Sequence, residues 1–271
     1  MTGVQTCALP ICCNSLLYCL LLPHLPEHVR ATDLLHALGG GAEQFALPVL
    51  DRLQQRVVIS EAVRDELIAW YRDQGVAPGL EQRITVIPNQ VEIPQTVAKP
   101  VSDGVLRLLY VGRGGAEKRV QLIGRAARIC TEQGLAGEVT LVGDLDDAIA
   151  AEDRACCHLT GLISDGNQLS ELYQQADLLL ITSSREGFPL TVMEGMAHGC
   201  VPVCTAVGGI PEHIAHLKNG WLLPAADDEA VVHALVQAVQ LLSVDRSLLQ
   251  QLSAAARQYA ETRFSGERFC E

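Results

Sequence analysis

DLLLITSSREGFPLTVMEGMAHGCVPVCTA, residues 177–206, holds two uninterrupted apolar runs with one helical stretch between them. The runs DLLLITS (177–183) and VPVCTA (201–206) are short, rich in aliphatic residues and without polar alternation, which is the pattern of strands buried on both faces. Between them the chain breaks at Gly-Phe-Pro and then carries small and apolar residues from 190 to 198, a helix. Strand, helix and strand in this order predict neighbouring parallel strands in an α/β sheet covered by helices.

The same alternation extends outward on both sides. LRLLYV (106–111), EVTLVG (138–143) and CHLTGL (157–162) read as further strands, with helices near 119–133, 144–155 and 168–176 and two more closing the chain at 227–242 and 246–263. Upstream, RVVIS (56–60) and RITVIP (83–88) are strands. Ser60 caps a helix through EAVRDELIAWYRDQG that Gly75 ends. The proline-containing stretch after residue 88 has no helical period and reads as a linker. These signals divide the chain into a segment of 1–29, a partial N-terminal domain of 30–92, a linker of 93–104 and a complete parallel-sheet domain of 105–271.

A chain of 271 residues with 48% hydrophobic content has the material for one and a half to two domains. Its formal net charge of -12 and its lack of basic runs exclude a nucleic-acid partner. The ten cysteines include the adjacent pairs Cys12-Cys13 and Cys156-Cys157 but no Cys-x-x-Cys, so neither a zinc site nor a disulfide framework is expected. Cys157 beside His158 reads as core, and the thiols as reduced. Residues 7–22 are apolar, yet no Lys or Arg precedes them and a proline interrupts them, so they are a weak signal peptide or membrane span. The opening MTGVQTCALPI resembles translated adapter sequence, from which 1–29 is expected to be non-native or disordered and the N-terminal domain truncated.

In a parallel sheet, ligands gather where the strands end and the next helices begin. VGRGGAEKRV (111–120) offers a glycine turn at one such end, with Arg113 and Lys118 five positions apart and able to reach one pyrophosphate. It is neither the dinucleotide fingerprint, whose last glycine is replaced by Glu117, nor a Walker loop. Alone, the two cations fit solvated surface charge at least as well. EGFPLTVME adds a helix start behind Pro189 whose Leu190 and Thr191 amides are free to hold an anion. Two carboxylates beside an anion seat need another task. Glu194 is placed to accept ribose hydroxyls, and Glu186 to accept pyranose hydroxyls or to stabilise positive charge at an anomeric carbon.

EGFPLTVMEGMAHGCVPV resembles the E-x7-E signature of retaining GT-B glycosyltransferases of family 4, and VGRGGAEKRV their phosphate-binding element. SEAVRDEL, VIPNQVE, the Gly161-Leu162 turn, LSELYQQAD and GGIPEHI follow in that family's order, so the resemblance covers about residues 30–269. It implies two Rossmann-like domains, the N-terminal one for the acceptor and the C-terminal one for a nucleotide diphosphate sugar. Arg113 and Lys118 would bind the diphosphate with the Leu190 and Thr191 amides, and Glu194 the ribose. Glu186 and the backbone of Gly187, Phe188 and Pro189 would hold the transferred sugar, and the backbone near Leu162 the base. The reaction implied is transfer to a hydroxyl of a glycan, lipid or small-molecule acceptor with retention of configuration, without metal or cofactor, in the cytoplasm. A membrane surface is an open partner that nothing in the sequence indicates.

The sequence departs from that family at Asn89-Gln90, where Asn-Gly is usual, and at Gly114-Gly115, where a bulkier turn is usual. His36, in LLHALGGGAEQF, occupies the place of the N-domain histidine that lies near the transferred sugar, although a packed or surface histidine fits equally. His198 on the donor-site helix reads as packing or capping. Two further functions stay open: a nucleotide-sugar-binding module without turnover, and a non-hydrolysing nucleotide-sugar epimerase on the same scaffold.

Overall fold

The computed structural model describes residues 11–266 except 14, 40, 98, 100–103 and 136. The chain divides into two compact units that meet between Asn89 and Gln90. In the first, β1 (Ile11–Cys13), β2 (Thr32–Leu35), β3 (Gln55–Val58) and β4 (Ile84–Val86) form a parallel sheet in sequential order. Three helices connect them: α1 (Leu16–Leu21), α2 (Ala42–Phe45) and α3 (Glu61–Asp73). Ser60 accepts from the Val63 amide at 3.2 Å and opens α3, while Gly75, at φ +67°, follows its end.

The segment 1–29, expected to be non-native or disordered, is described at 11–13 and 15–29. β1 pairs with β2, Ser15 caps α1, and Cys19 and Leu22 enter the core, because this sheet gives the apolar run a face to cover. Residues 1–10 lie outside the described residues. β2 went unread because Asp33 interrupts its apolar run. That carboxylate is buried against Arg56, whose Nε lies 2.9 Å away and whose other nitrogens donate to Tyr71 Oη and the Glu43 carbonyl. Burial pushes the Asp33 pKa up, and Arg56 pulls against it.

The second unit is a six-stranded parallel sheet. Its strands are β5 (Leu106–Val111), β6 (Gly137–Val142), β7 (His158–Gly161), β8 (Leu178–Ile181), β9 (Val201–Thr205) and β10 (Trp221–Leu223), in the order β10-β9-β8-β5-β6-β7. The helices are α4 (Gln121–Glu132), α5 (Ala151–Arg154), α6 (Gly166–Gln175), α7 (Leu190–Ala197), α8 (Ile210–His213), α9 (Asp228–Val244) and α10 (Arg246–Arg263). All four residues of β8 and all five of β9 are buried, as their unbroken apolar runs require. Each fully buried leucine among them contributes about 1.5–3 kcal/mol.

The helix expected over 144–155 shrinks to α5, since Asp144, Asp146 and Asp147 favour turns over helix interior. β10 and α8 are three and four residues long, below the length at which periodicity is readable. The segment read as a linker begins inside this unit: Arg257 donates to the Pro94 carbonyl and Lys99 to the Tyr173 and Ala176 carbonyls. One feature of the order positions the site. From β5 the chain runs outward through β6 and β7, then returns to lay β8 against the other side of β5, so the loops after β5 and β8 leave adjacent strand ends.

Candidate functional site

The loop after β5 is set by backbone contacts that leave no room for side chains. The Gly112 amide donates to the Val142 carbonyl at 3.0 Å, and a Cβ on Gly143, at φ +143°, would lie 1.9 Å from the Gly112 oxygen. Tyr110 Oη donates to the Arg113 carbonyl at 2.8 Å and fixes the turn from below. A single 3-10 turn, Ala116–Lys118, then ends at Arg119, which has φ +47°. Such a conformation is rare for a residue with a Cβ and persists where neighbours hold it. Here they do. Arg119 donates from Nε to the Thr182 carbonyl at 2.8 Å, from Nη2 to the Ser183 carbonyl at 3.4 Å and from Nη1 to Asp228 Oδ1 at 3.2 Å. Thr182 Oγ1 returns a bond to the Arg119 carbonyl at 3.0 Å, and the Ser184 amide donates to the Glu117 carbonyl at 2.8 Å.

The two loops therefore converge. Two candidate side chains meet as well: Lys118 Nζ lies 2.7 Å from Glu186 Oε1, and Ser183 Oγ donates to the same oxygen at 2.6 Å. The Glu186 side chain is only 9% exposed and that of Lys118 22%, so this is a largely desolvated pair. Arg113 behaves differently. It is 85% exposed, and its Nη2 stands 3.8 Å from Glu117 Oε1, too far for a hydrogen bond, which leaves the guanidinium able to turn toward a ligand.

The Glu186-Gly187-Phe188-Pro189 loop is pressed against a second glycine pair. Gly208 sits at φ +53°, where an added Cβ would fall 1.7 Å from the Glu186 carbonyl oxygen, and the Gly209 amide donates to the Gly187 carbonyl at 2.6 Å. Phe188 is 6% exposed and packs on His213 at 4.2 Å between ring centroids, so only its backbone is available to a ligand. Pro189 is the N-cap of α7 with φ −68° and ψ 131°. No side chain caps this helix. The Val192 and Met193 amides return to the Pro189 carbonyl, whereas those of Leu190 and Thr191 have no acceptor among the described residues. The helix start thus presents two donors and a positive dipole end beside Lys118 and Glu186.

Glu194, in the second turn of α7, accepts from Tyr173 Oη at 2.7 Å. Burial, and then the Glu194 charge, push the Tyr173 pKa far above its ordinary value. His198 caps the end of the same helix, with Nδ1 2.8 Å from the Glu194 carbonyl and Nε2 2.9 Å from Ser170 Oγ. Leu162 is 80% exposed just after Gly161, at the end of β7. His36, half-buried, lies at the bend that follows β2 in the first unit. Sequence reasoning missed Ser183, Arg119, Tyr173 and Gly208. Gly208-Gly209 opens GGIPEHI and Tyr173 lies in LSELYQQAD, both part of the family resemblance but given no role there, and Ser183 carried no signal beyond that of a buried position.

Residues 106–240 match the family described as Glycosyl transferases group 1. This stretch is similar to glycosyl transferases group 1 domains. It contains Arg113, Lys118, Glu186, Glu194 and the whole switch point between β5 and β8. Over 173 residues, 59% of this chain and 41% of the relative, the chain is 32% identical to the amylovoran biosynthesis glycosyltransferase AmsK of Erwinia amylovora. Over 178 residues, 62% of this chain and 44% of the relative, it is 32% identical to the N-acetyl-alpha-D-glucosaminyl L-malate synthase of Bacillus anthracis. The chain spans less than half the length of these two proteins. A mutant of S. aureus TarM solved in complex with fondaparinux, alpha-GlcNAc-glycerol and UDP superposes with a TM-score of 0.75 at 17% identity, covering 96% of this chain and 53% of TarM. The fold is accordingly that of GT-B glycosyltransferases. Among the described residues no helix is long and apolar enough to cross a membrane.

Proposed function

We propose that this chain binds a nucleotide diphosphate sugar in its group 1 domain and transfers the sugar to a hydroxyl acceptor with retention of configuration and without a metal. The observation that carries the reading is the 2.7 Å contact between Lys118 and Glu186, which joins the two loops of the switch point beside the uncapped start of α7. In this reading Arg113 swings in to the diphosphate, where Lys118 and the Leu190 and Thr191 amides already wait. The Lys118 ammonium has three N–H donors and can keep Glu186 while engaging a phosphate oxygen. These charges take up the negative charge that builds on the leaving diphosphate.

Glu186 and the backbone of Gly187, Phe188 and Pro189 hold the transferred sugar, Glu194 the ribose and the backbone at Leu162 the base. As the bond from the anomeric carbon to the diphosphate breaks, the acceptor oxygen bonds to that carbon on the same face and its proton passes to the departing phosphate. Glu186 then faces the positive charge of the ring. His36, at a strand end of the first unit, is assigned a catalytic part in the transfer, with a glycan, lipid or small molecule as acceptor. The reaction belongs to the cytoplasm, where nucleotide sugars are made.

Titration of the full chain with UDP-, GDP- and ADP-sugars, paired with a transfer and hydrolysis assay in EDTA, tests this. Micromolar binding with product in EDTA supports it, and absence of binding refutes it. Binding without product assigns the chain instead as a nucleotide-sugar-binding module.

A further inference from the structure

Behind the cleft, Tyr173 and His198 form a buried contact around Glu194 that sugar transfer as described does not use. Tyr173 is 2% exposed. Its hydroxyl donates to Glu194 Oε2 at 2.7 Å, and its ring stacks on the His198 imidazole with centroids 5.4 Å apart and planes at 23°. The Tyr173 carbonyl accepts from Cys200 Sγ at 3.0 Å and from Lys99 Nζ at 3.3 Å, so the residue is held at both ends.

His198 is fixed in turn. The Glu194 carbonyl can only accept, so Nδ1 carries the proton and donates to it at 2.8 Å. Burial lowers the His198 pKa and favours the neutral ring, which leaves Nε2 to accept from Ser170 Oγ at 2.9 Å. One glutamate thus has its side chain held from α6 and its backbone carbonyl held from the end of its own helix. A free glutamate loses rotamer freedom when it binds a ligand. Here that loss occurs on folding, and Oε1 stays available together with the second lone pair of Oε2.

Resting on the reading that Glu194 meets the ribose, we propose that Tyr173 is a positioning residue that holds the Glu194 carboxylate in the one orientation matching a ribose cis-diol, and so makes the site select ribonucleotides over 2'-deoxyribonucleotides. Ser170 supports it through His198. Burial and the Glu194 charge both oppose ionisation of the hydroxyl, which keeps it a donor.

The test measures calorimetric affinities of the full chain for whichever of UDP, GDP or ADP binds best and for its 2'-deoxy counterpart. Tyr173→Phe keeps the ring and its stacking. It should weaken the ribonucleotide about tenfold, the usual order for a hydrogen bond to a charged group, and change the 2'-deoxy form less than about twofold. Glu194→Gln should remove the discrimination, and adding Tyr173→Phe to it should weaken the ribonucleotide no further. Ser170→Ala, which touches neither partner of the bond, should lower discrimination by about twofold to threefold.

If Tyr173→Phe weakens both nucleotides equally, or neither, while Glu194→Gln still abolishes discrimination, the positioning role is refuted and the ribose role of Glu194 stands. If the wild-type chain does not discriminate and Glu194→Gln changes nothing, the ribose reading itself falls.

Discussion

Replacing Lys118 with methionine keeps the aliphatic stem and removes the ammonium, which leaves the Glu186 carboxylate only 9% exposed and without its cation. Truncating one partner of a fully buried pair costs about 3–5 kcal/mol, and of an exposed pair about 1 kcal/mol or less. With side chains 22% and 9% exposed, this pair lies nearer the buried limit, but the 2.6 Å bond from Ser183 survives the change. We therefore expect a loss of about 2–3 kcal/mol. In a unit of this size that lowers the melting temperature by about 5–10 °C. The double variant Lys118→Met/Glu186→Gln leaves no orphaned charge and should recover at least about 1.5 kcal/mol of that loss. Urea unfolding of wild type, both single variants and the double gives the coupling energy directly. A Lys118→Met loss below about 0.5 kcal/mol, or a double variant as unstable as the sum of the singles, would show that the contact is solvent-screened and that the two loops are not locked through it.

Gly208→Ala should lower both the melting temperature and the affinity for a nucleoside diphosphate, because its Cβ would fall 1.7 Å from the Glu186 oxygen at φ +53°. Gly134→Ala, at φ +70° with nothing within 4 Å, bears only backbone strain of about 1–2 kcal/mol and should leave calorimetric affinity unchanged. Arg113→Ala should leave the melting temperature within about 1 °C, since the side chain is 85% exposed, yet weaken nucleoside diphosphate binding about tenfold and flatten its salt dependence. Burial lowers the pKa of both His198 and His213, so the unfolded chain binds more protons than the folded one in that range. Their contribution to stability is complete above an unfolded pKa of about 6.5 and is lost as pH falls through the folded values. Denaturant midpoints should therefore drop below about pH 6.5, and less so in His198→Gln.

Seven strands were read, five between Gly104 and Ala206 and two upstream, and those buried on both faces, such as β8 and β9, were legible because such strands must be continuously apolar. Leu106–Val111 matches its sequence reading residue for residue. Thr32–Leu35 was not legible, because its Asp33 is tolerated only by Arg56, which lies on another strand. The site shows the same division. Arg113, Lys118, Glu186 and Glu194 stand out as charges at strand ends and helix starts, and the loops that bear them do converge. That Lys118 and Glu186 bond to each other was hidden, since each alone suggested a separate ligand. Arg119 was hidden too: nothing local in AEKRV signals a left-handed arginine, and partners more than sixty positions away, at Thr182, Ser183 and Asp228, account for it.

Leu108 pairs with Leu178, and between those two residues the chain builds two further strands and three helices. The proposed nucleotide seat spans that seam and so cannot exist in any folding species where β5 and β8 have not yet joined, however native each side looks by circular dichroism. Recovery of ligand binding after dilution from denaturant is therefore a clock for this one closure, slower than the formation of the helices because the loop entropy must be overcome first. Cutting the chain between β7 and β8 would leave two pieces, one holding the cations and the other the helix start. Only their reunion would restore the cleft.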